Sequence, residues 1–249
     1  MKRRRLPEIR LALMLLTRLP VGQFAGTPPE ITHARWAFPL VGLPLALIAW
    51  VVLAGAAALG LSPLVGGVLA VTALVLATGG LHHDGLADFA DGMGGRDPEQ
   101  RLAIMRDSRV GSYGVLALIL AVVLGAAALA ALPTGGAGLL SLMLCAVVSR
   151  LAILMVMEWL PPAREDGLGH LAASAGKGNI RWFPGGLLAL LIAPFLGLPG
   201  MAALLVMAAA AWLVGRRAKA LLGGQTGDVL GTVQLCSEIA GWVVLSAAF

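Results

Sequence analysis

Three aspartates in one short segment could bind a metal ion. Asp84, Asp88 and Asp91 are spaced i, i+4 and i+7, so on a helix their carboxylates lie on one face. Carboxylates this close repel each other unless a cation lies among them, and Mg²⁺ binds such oxygens together with substrate phosphates. The spacing therefore predicts a magnesium site that binds a diphosphate, and a solvated acidic loop is the alternative. His82 beside them is a weaker candidate, for phosphate contact or proton transfer.

A second polar group stands at 106–112, just before an apolar stretch. It contains Arg106, Asp107 and Arg109, followed by glycine and serine residues whose backbone N–H groups can bind an anion at a helix start. Arginine binds phosphate oxygens through two parallel hydrogen bonds. We expect Asp107 and Arg109 to belong to the site, and a positively charged anchor at the membrane surface is the alternative.

Three more polar residues lie in or beside apolar stretches. Arg150 and Glu238 fall within such stretches, where an unpaired charge costs a few kcal/mol. Asp228 stands at the start of the last one. We predict a substrate contact for each of the three. The alternatives are a structural ion pair between Arg150 and Glu238, and a helix N-cap at Asp228.

The composition indicates that membrane helices position these residues. Of 249 residues, 59% are hydrophobic and only 12% are charged, and the mean hydropathy is +0.89. A soluble domain is about 25% charged. We predict one domain, 1–249, with an all-α fold: a polytopic integral membrane helical bundle of about seven transmembrane helices. The expected spans are 38–59, 64–81, 113–132, 138–160, 183–198, 200–214 and 229–249.

The charged residues predict which side of the membrane each loop occupies. The N-terminus and the loops at 82–112, 161–182 and 215–228 carry most of the charges, whereas the loops between them carry none. The positive-inside rule makes the charged side cytoplasmic and leaves the C-terminus outside. The segment 6–24 is apolar but contains two arginines, which predicts an N-terminal interfacial helix.

Charge and cysteine content limit the expected partners. The net charge of +5 suits an anionic lipid surface, and nucleic acid is not expected because no soluble domain gathers the basic residues. In the loop at 161–182 we predict a solvated basic surface, with phosphate capture by Arg164 or Lys177 as the weaker alternative. Cys145 and Cys236 lie in expected spans and are not predicted to form a disulfide or bind a metal.

Several stretches of the sequence resemble a known family. The run GGLHHDGLADFADG at 79–92 and the run IMRDSRVG at 104–111 resemble the cobalamin synthase family, the adenosylcobinamide-GDP ribazoletransferases of prokaryotic inner membranes. The residues TRLP at 17–20 and GQTGDVLG at 224–231 are also similar to that family. The resemblance covers most of the chain, in order.

The resemblance implies a Mg²⁺-dependent transferase, multi-pass in the bacterial inner membrane, with its active site facing the cytoplasm. It would join adenosylcobinamide-GDP and α-ribazole, or α-ribazole 5′-phosphate, and release GMP, a late step of cobalamin biosynthesis. Membrane lipid is a further expected partner, and a homo-oligomer is left open. Asp84, Asp88 and Asp91 would hold Mg²⁺ and the diphosphate, and one of them or Asp107 would be the base. The candidate substrate contacts are His82, Arg106, Arg109, Arg150, Asp228 and Glu238.

Other transferases and a transporter are the alternatives. CDP-alcohol phosphotransferases carry D-x-x-D-G-x-x-A-R and then G-x-x-x-D-x-x-x-D. The segment 88–96 matches the first half with glycine for alanine, but Met105 and Arg109 stand where the second half requires glycine and aspartate. A prenyl transferase with an aspartate-rich Mg²⁺ site is a further alternative. A transporter would place its charges near the membrane midplane, whereas these acids crowd one predicted face, which favours an enzyme.

Overall fold

Helices make up the regular structure of the residues that the computed structural model describes, 5–165 and 183–249. The first part contains α1 (Arg5–Leu16), α2 (Ile31–Ala34), α3 (Phe38–Ala58), α4 (Pro63–Thr78), α5 (Leu81–Gly92), α6 (Pro98–Ile104), α7 (Ser112–Ala130) and α8 (Gly136–Trp159). The second part contains α9 (Phe183–Ile192), α10 (Gly197–Leu222) and α11 (Gly227–Ser246). Short 3₁₀ turns occupy Arg35–Ala37 and Ala193–Leu196. The predicted all-α fold is confirmed.

Within these described residues, several helical stretches are long and apolar enough to cross a membrane. Five stretches meet this description, and the α4–α5 pair would be a sixth only if it were a broken span, because the two helices meet at 92°. We treat α5, which carries the aspartates, as lying outside the spans. The described chain thus has five or six candidate spans, fewer than expected. The five are Ile31–Ala58, Ser112–Ala130, Gly136–Trp159, Pro184–Leu222 and Gly227–Ser246.

The chain does not break at the turn expected at 198–200. α9 ends at Ile192, and after the 3₁₀ turn Gly197 has a φ of +60°, a conformation that favours glycine. α10 has already begun at Pro199, and proline is tolerated in a first turn because the N–H there has no helical acceptor. The two spans expected on either side of that turn therefore fall within one stretch, Pro184–Leu222.

α8 and α11 form the centre of the bundle. α11 packs against α5, α7, α8 and α10, while α3 packs against α4 and α8. Glycine brings these helices close: a Cβ added at Gly42 would stand 2.5 Å from the carbonyl oxygen of Ala146. Cys145 is buried in this core, and both it and Cys236 are free cysteines. Because other helices surround α8 and α11, these two central helices can hold polar groups away from lipid.

The charged loops meet at one end of the bundle. There the backbone N–H of Arg18 donates to the carbonyl oxygen of Ala77 at 2.7 Å. The Arg101 guanidinium donates to the Leu221 carbonyl oxygen at 3.2 Å. The uncharged α3–α4 and α7–α8 turns lie at the opposite ends of the same helices. The grouping of the charged loops is confirmed for the described parts of the chain, and its cytoplasmic side stays a prediction.

The N-terminal helix is shorter than the segment 6–24 that suggested it. α1 ends at Leu16. The Thr17 N–H still donates to the Leu13 carbonyl oxygen, but the Arg18 N–H donates to the Ala77 carbonyl oxygen outside the helix. Leu11 and Leu16 are buried, and the indole N–H of Trp36 donates to the buried carboxylate of Glu8. α1 is thus anchored to the bundle and supplies one wall of the cavity described below.

Candidate functional site

Two glycines turn α5 across the charged end of the bundle. Gly79 and Gly80 have φ values of +66° and +72°, which end α4 and start α5 at 92° to it. α5 then crosses the start of α11: a Cβ on Gly85 would stand 2.8 Å from the carbonyl oxygen of Asp228. The Thr232 hydroxyl donates to the Gly85 carbonyl at 3.0 Å. The bend and this close crossing place the α5 aspartates beside Asp228.

Four carboxylates share this region, one more than the sequence spacing predicts. Asp84 and Asp228 both line the same cavity. Burial, and after it the charges of Asp84, Asp228 and Asp91, raises the pKa of Asp88 to about 7. A cation among these carboxylates would favour the ionised form of Asp88. The structure therefore joins Asp228 to the face formed by Asp84, Asp88 and Asp91.

Asp91 is held differently from the other three. Its two carboxylate oxygens accept the backbone N–H groups of Gly111 at 2.7 Å and Gly114 at 2.8 Å. A Cβ at either glycine would meet the carboxylate, at 2.5 and 2.4 Å. Asp91 thus caps the N-terminus of α7, where the helix dipole also favours a negative charge. Its predicted part in metal binding stays a prediction.

The donor chemistry of this cluster fits Mg²⁺. Carboxylate oxygens are its preferred protein ligands, and it commonly uses one or two of them together with water and substrate phosphates. Within 5–165 and 183–249, no group of three or more His, Cys, Asp or Glu side chains is arranged to hold a metal ion without further ligands. Asp84, Asp88 and Asp228 can therefore supply part of a ligand set that the phosphates of a substrate would complete.

A cavity of about 250 Å³ opens beside Asp84 and Asp228. It lies between α1, α3, α5, α8 and the start of α11. One end is polar and includes His82 and Arg164, while the rest of the wall is apolar. The apolar side chains are chiefly Leu15, Leu16, Ile31, Phe38, Ile153 and Met157.

A short backbone pairing brings Arg164 to this cavity. The Gln225 N–H donates to the Pro161 carbonyl, and the Ala163 N–H donates to the Gln225 carbonyl, both at 2.8 Å. Arg164 Nη2 then lies 3.3 Å from Asp228 Oδ2, with both side chains largely buried. Sequence reasoning gave Arg164 only as the weaker alternative, because nothing in the loop indicates this pairing. Lys177, its companion in that alternative, lies outside the described residues.

The N-cap of α11 is Thr226, so the alternative offered for Asp228, a helix N-cap, is wrong. The backbone N–H of Val229 donates to the Thr226 hydroxyl oxygen at 3.3 Å. Gly227 occupies the first helical position, and Asp228 therefore falls within the first turn. From there its carboxylate accepts from Thr226 at 3.2 Å and from Arg164. This leaves Asp228 free to face the cavity.

The residues of the second motif lie on the surface. The Arg109 guanidinium donates to Asp107 through two nitrogens, with Nη2 to Oδ2 at 2.6 Å. These hydrogen bonds lower the pKa of Asp107 to about 2. Arg106 is also exposed. The structure does not bring these three side chains to the wall of the cavity, and their roles toward substrate stay predictions.

Arg150 and Glu238 pair with each other inside the bundle. Arg150 Nη1 lies 3.2 Å from Glu238 Oε1, and the two residues are 1% and 6% exposed. The Gln234 amide donates to the other Glu238 oxygen at 2.8 Å and to Ser149 at 3.1 Å. The ion pair that the sequence offered as an alternative is confirmed. It lies apart from the cavity of Asp84, since neither residue lines that cavity.

His82 stands between the cavity and this buried pair. It lines the cavity and also a second space of about 20 Å³ beside Arg150, Gln234 and Trp242. Polar atoms of all four residues are buried there without a hydrogen-bond partner among the described residues. A space of this size and polarity suits one water molecule. His82 therefore connects the cavity-facing side of α5 with the polar centre of the bundle.

Comparison with known proteins gives one consistent result. The family model described as cobalamin-5-phosphate synthase matches residues 8–246. A protein of Azorhizobium caulinodans named adenosylcobinamide-GDP ribazoletransferase is 43% identical, with 94% of this chain and 93% of its own covered. A protein of the same name from Xanthobacter autotrophicus is 44% identical, with 92% of this chain and 91% of its own covered. Another from Bradyrhizobium diazoefficiens is 41% identical, with 96% of this chain and 93% of its own covered. No solved structure matches.

Proposed function

Because the chain belongs to the cobalamin-5-phosphate synthase family, we propose that it joins adenosylcobinamide-GDP to α-ribazole, or α-ribazole 5′-phosphate, and releases GMP. One observation identifies residues of this chain that would take part in the reaction. Asp84 and Asp228 belong to two separate motifs of the sequence resemblance, and both line one cavity. This supports a single site built from α5 and the start of α11.

The proposed reaction is a phosphoryl-type transfer. The ribazole hydroxyl oxygen bonds to the phosphorus on the cobinamide side of the diphosphate, and the bond from that phosphorus to the bridging oxygen breaks. GMP leaves with the bridging oxygen, and the hydroxyl proton passes to a carboxylate. Asp84 and Asp228 are the carboxylates that face the cavity. Positioning and charge neutralisation supply most of the rate in such reactions.

Arg164 and the acidic cluster would neutralise the substrate phosphates in two different ways. Among the described residues that line the cavity, Arg164 supplies a positive charge at the polar end, and its guanidinium suits phosphate oxygens. Asp84, Asp88 and Asp228 would hold Mg²⁺, which when bound neutralises the diphosphate and the negative charge that develops on GMP. The ion pair between Arg164 and Asp228 keeps both side chains aimed at the cavity before substrate enters.

The charged end of the bundle is proposed to face the cytoplasm of the bacterial inner membrane. Its support is the basic residues of the N-terminus and of the loops on that side, which the positive-inside rule assigns to the cytoplasm. Adenosylcobinamide-GDP is large and charged, and the ribose hydroxyls make α-ribazole polar, so a cytoplasmic site spares both substrates from crossing the membrane. Contact of the apolar helix surfaces with membrane lipid is part of the same proposal.

A lipid head-group transferase is the weaker alternative. The second half of its motif would need glycine in place of Met105. Met105 is 4% exposed, and its side chain fills the space beside Gly92, where an added Cβ would stand 2.7 Å from Met105 Cγ. The side chain that breaks the motif is thus part of the packing between α5 and α6.

Release of GMP tests the proposal. Purified protein in lipid vesicles is given adenosylcobinamide-GDP and either α-ribazole or α-ribazole 5′-phosphate, with and without Mg²⁺, and GMP is measured. We expect Mg²⁺-dependent GMP release that Asp88→Asn reduces by about 100-fold or more. Glu99→Gln, a change on the exposed face of α6, is the matched control and should keep full activity. No GMP from wild-type protein with both substrates would overturn the proposal.

A further inference from the structure

The cavity beside Asp84 has room for only one of the two substrates. Its volume is about 250 Å³, whereas drug-sized ligands fill sites of about 300–1,000 Å³. A fused-ring base with part of its ribose can enter such a space, but a corrin macrocycle with its ring of amide side chains cannot. We propose, resting on the proposed function, that this cavity binds the ribazole acceptor and that the corrinoid ring stays outside it.

The apolar walls suit an uncharged aromatic base. Phe38 of α3, Leu16 of α1 and Ile153 of α8 are all buried and line the cavity. Met157, one turn after Ile153, lines it as well. An aromatic ring packs well against the Phe38 ring, and the Met157 sulfur can contact a ring edge. None of these four side chains donates or accepts a strong hydrogen bond, so the walls favour an apolar ring over a charged group.

The polar end of the cavity suits the ribose. Asp84 and Asp228 can accept hydrogen bonds from sugar hydroxyls, and Arg164 can bind the phosphate of the 5′-phosphorylated acceptor. A base inserted among the apolar walls thus directs its ribose toward the acidic cluster. There the attacking oxygen would meet the diphosphate, which reaches the cluster from outside the cavity. This arrangement lets a small pocket serve a reaction with a very large second substrate.

The acceptor and the corrinoid substrate should therefore respond differently to a change in the cavity wall. Ile153→Trp would fill part of the space, and we expect it to raise KM for α-ribazole by about tenfold or more. KM for adenosylcobinamide-GDP should stay within about twofold of wild type. Met155→Trp is the matched control: Met155 lies on the same helix, but it is 59% exposed on the outer surface. That control should leave both KM values unchanged.

A variant with an enlarged cavity gives a second test, which remains valid even if Ile153→Trp does not fold. Ile153→Ala should accept an acceptor with a larger base, such as a naphtho-fused imidazole riboside. We expect the ratio of kcat/KM for the larger base to that for α-ribazole to rise about tenfold. An unchanged ratio, or a change in KM for adenosylcobinamide-GDP alone, would overturn the assignment of this cavity to the acceptor.

Direct binding separates failure of this inference from failure of the proposed function. Calorimetry with α-ribazole alone should show binding to wild-type protein and to Met155→Trp, and weaker binding to Ile153→Trp. If wild-type protein releases GMP but Ile153→Trp binds α-ribazole normally, the transferase function stands and the cavity assignment falls. If wild-type protein neither releases GMP nor binds α-ribazole, both proposals fall.

Discussion

Asp91 is fixed by two backbone N–H groups, and this gives it a different task from its neighbours on α5. Both of its oxygens are engaged at the start of α7, where Gly111 and Gly114 leave room for them. Asp84 faces the cavity. At the scale of single residues, one helix face thus carries a carboxylate that joins two helices and a carboxylate that can meet substrate.

Substitution should separate these two tasks. Asp91→Ala leaves two N–H groups without their charged acceptor, so we expect the free energy of unfolding to fall by about 1.5–3 kcal/mol. Asp84→Asn removes no hydrogen bond to another of the residues that the structure describes. It should change the free energy of unfolding by less than about 0.5 kcal/mol and lower kcat by about 100-fold. Urea unfolding in detergent and GMP release measure the two quantities. Equal destabilisation by both variants would contradict the assignment of a structural task to Asp91 and a catalytic task to Asp84.

At the scale of helices, the placement of α5 decides whether the carboxylates meet. The spacing of the three aspartates showed that a helix there would have one acidic face, but the sequence analysis placed 82–112 in a loop, and the helix Leu81–Gly92 was not predicted. The 92° bend was not predictable, because it depends on two successive glycines adopting positive φ rather than continuing the helix. The contact of Arg164 with Asp228 was missed for a similar reason. It depends on a backbone pairing between Pro162 and Gln225, which are distant in sequence.

The close crossing of α5 and α11 predicts a large effect from one methyl group. Gly85→Ala would place a Cβ 2.8 Å from the carbonyl oxygen of Asp228, so α5 has to move away from α11. We expect kcat to fall by about tenfold or more, because catalytic groups lose rate when displaced by about 1 Å.

A glycine in an open position supplies the control for that variant. Gly55→Ala lies in α3, where an added Cβ meets nothing within 4 Å. This control should keep its activity and gain about 0.5–1 kcal/mol in the free energy of unfolding. Full activity in Gly85→Ala would show that the crossing does not set the position of the carboxylates.

At the scale of the whole molecule, one buried ion pair joins the two central helices. Arg150 of α8 and Glu238 of α11 are both nearly inaccessible, and Gln234 and Ser149 extend the polar contacts between the helices. The sequence placed both charges within apolar stretches but left open whether they serve substrate or each other. The distinction depends on how α8 and α11 face one another, which no local pattern specifies.

A double substitution distinguishes a structural pair from a substrate contact. Glu238→Leu alone leaves Arg150 buried without its partner, and we expect it to lower the free energy of unfolding by about 3–5 kcal/mol. Adding Arg150→Met should restore most of that loss, because two apolar side chains replace the pair. The double variant should also keep GMP release within about threefold of wild type. Thermal unfolding and the transferase assay check this, and an inactive but stable double variant would assign the pair to substrate.

The same pair has a consequence for how the protein is made. Arg150 and Glu238 are separated by 88 residues in the chain, so at about 5–20 residues per second the ribosome needs about 4–18 s to reach the second after the first. α8 therefore enters the bilayer before its counter-ion has been synthesised. During that interval the arginine has to remain near water, headgroups or the insertion machinery. α11, which follows α8 in the chain, is thus the helix that allows α8 to settle at its final depth.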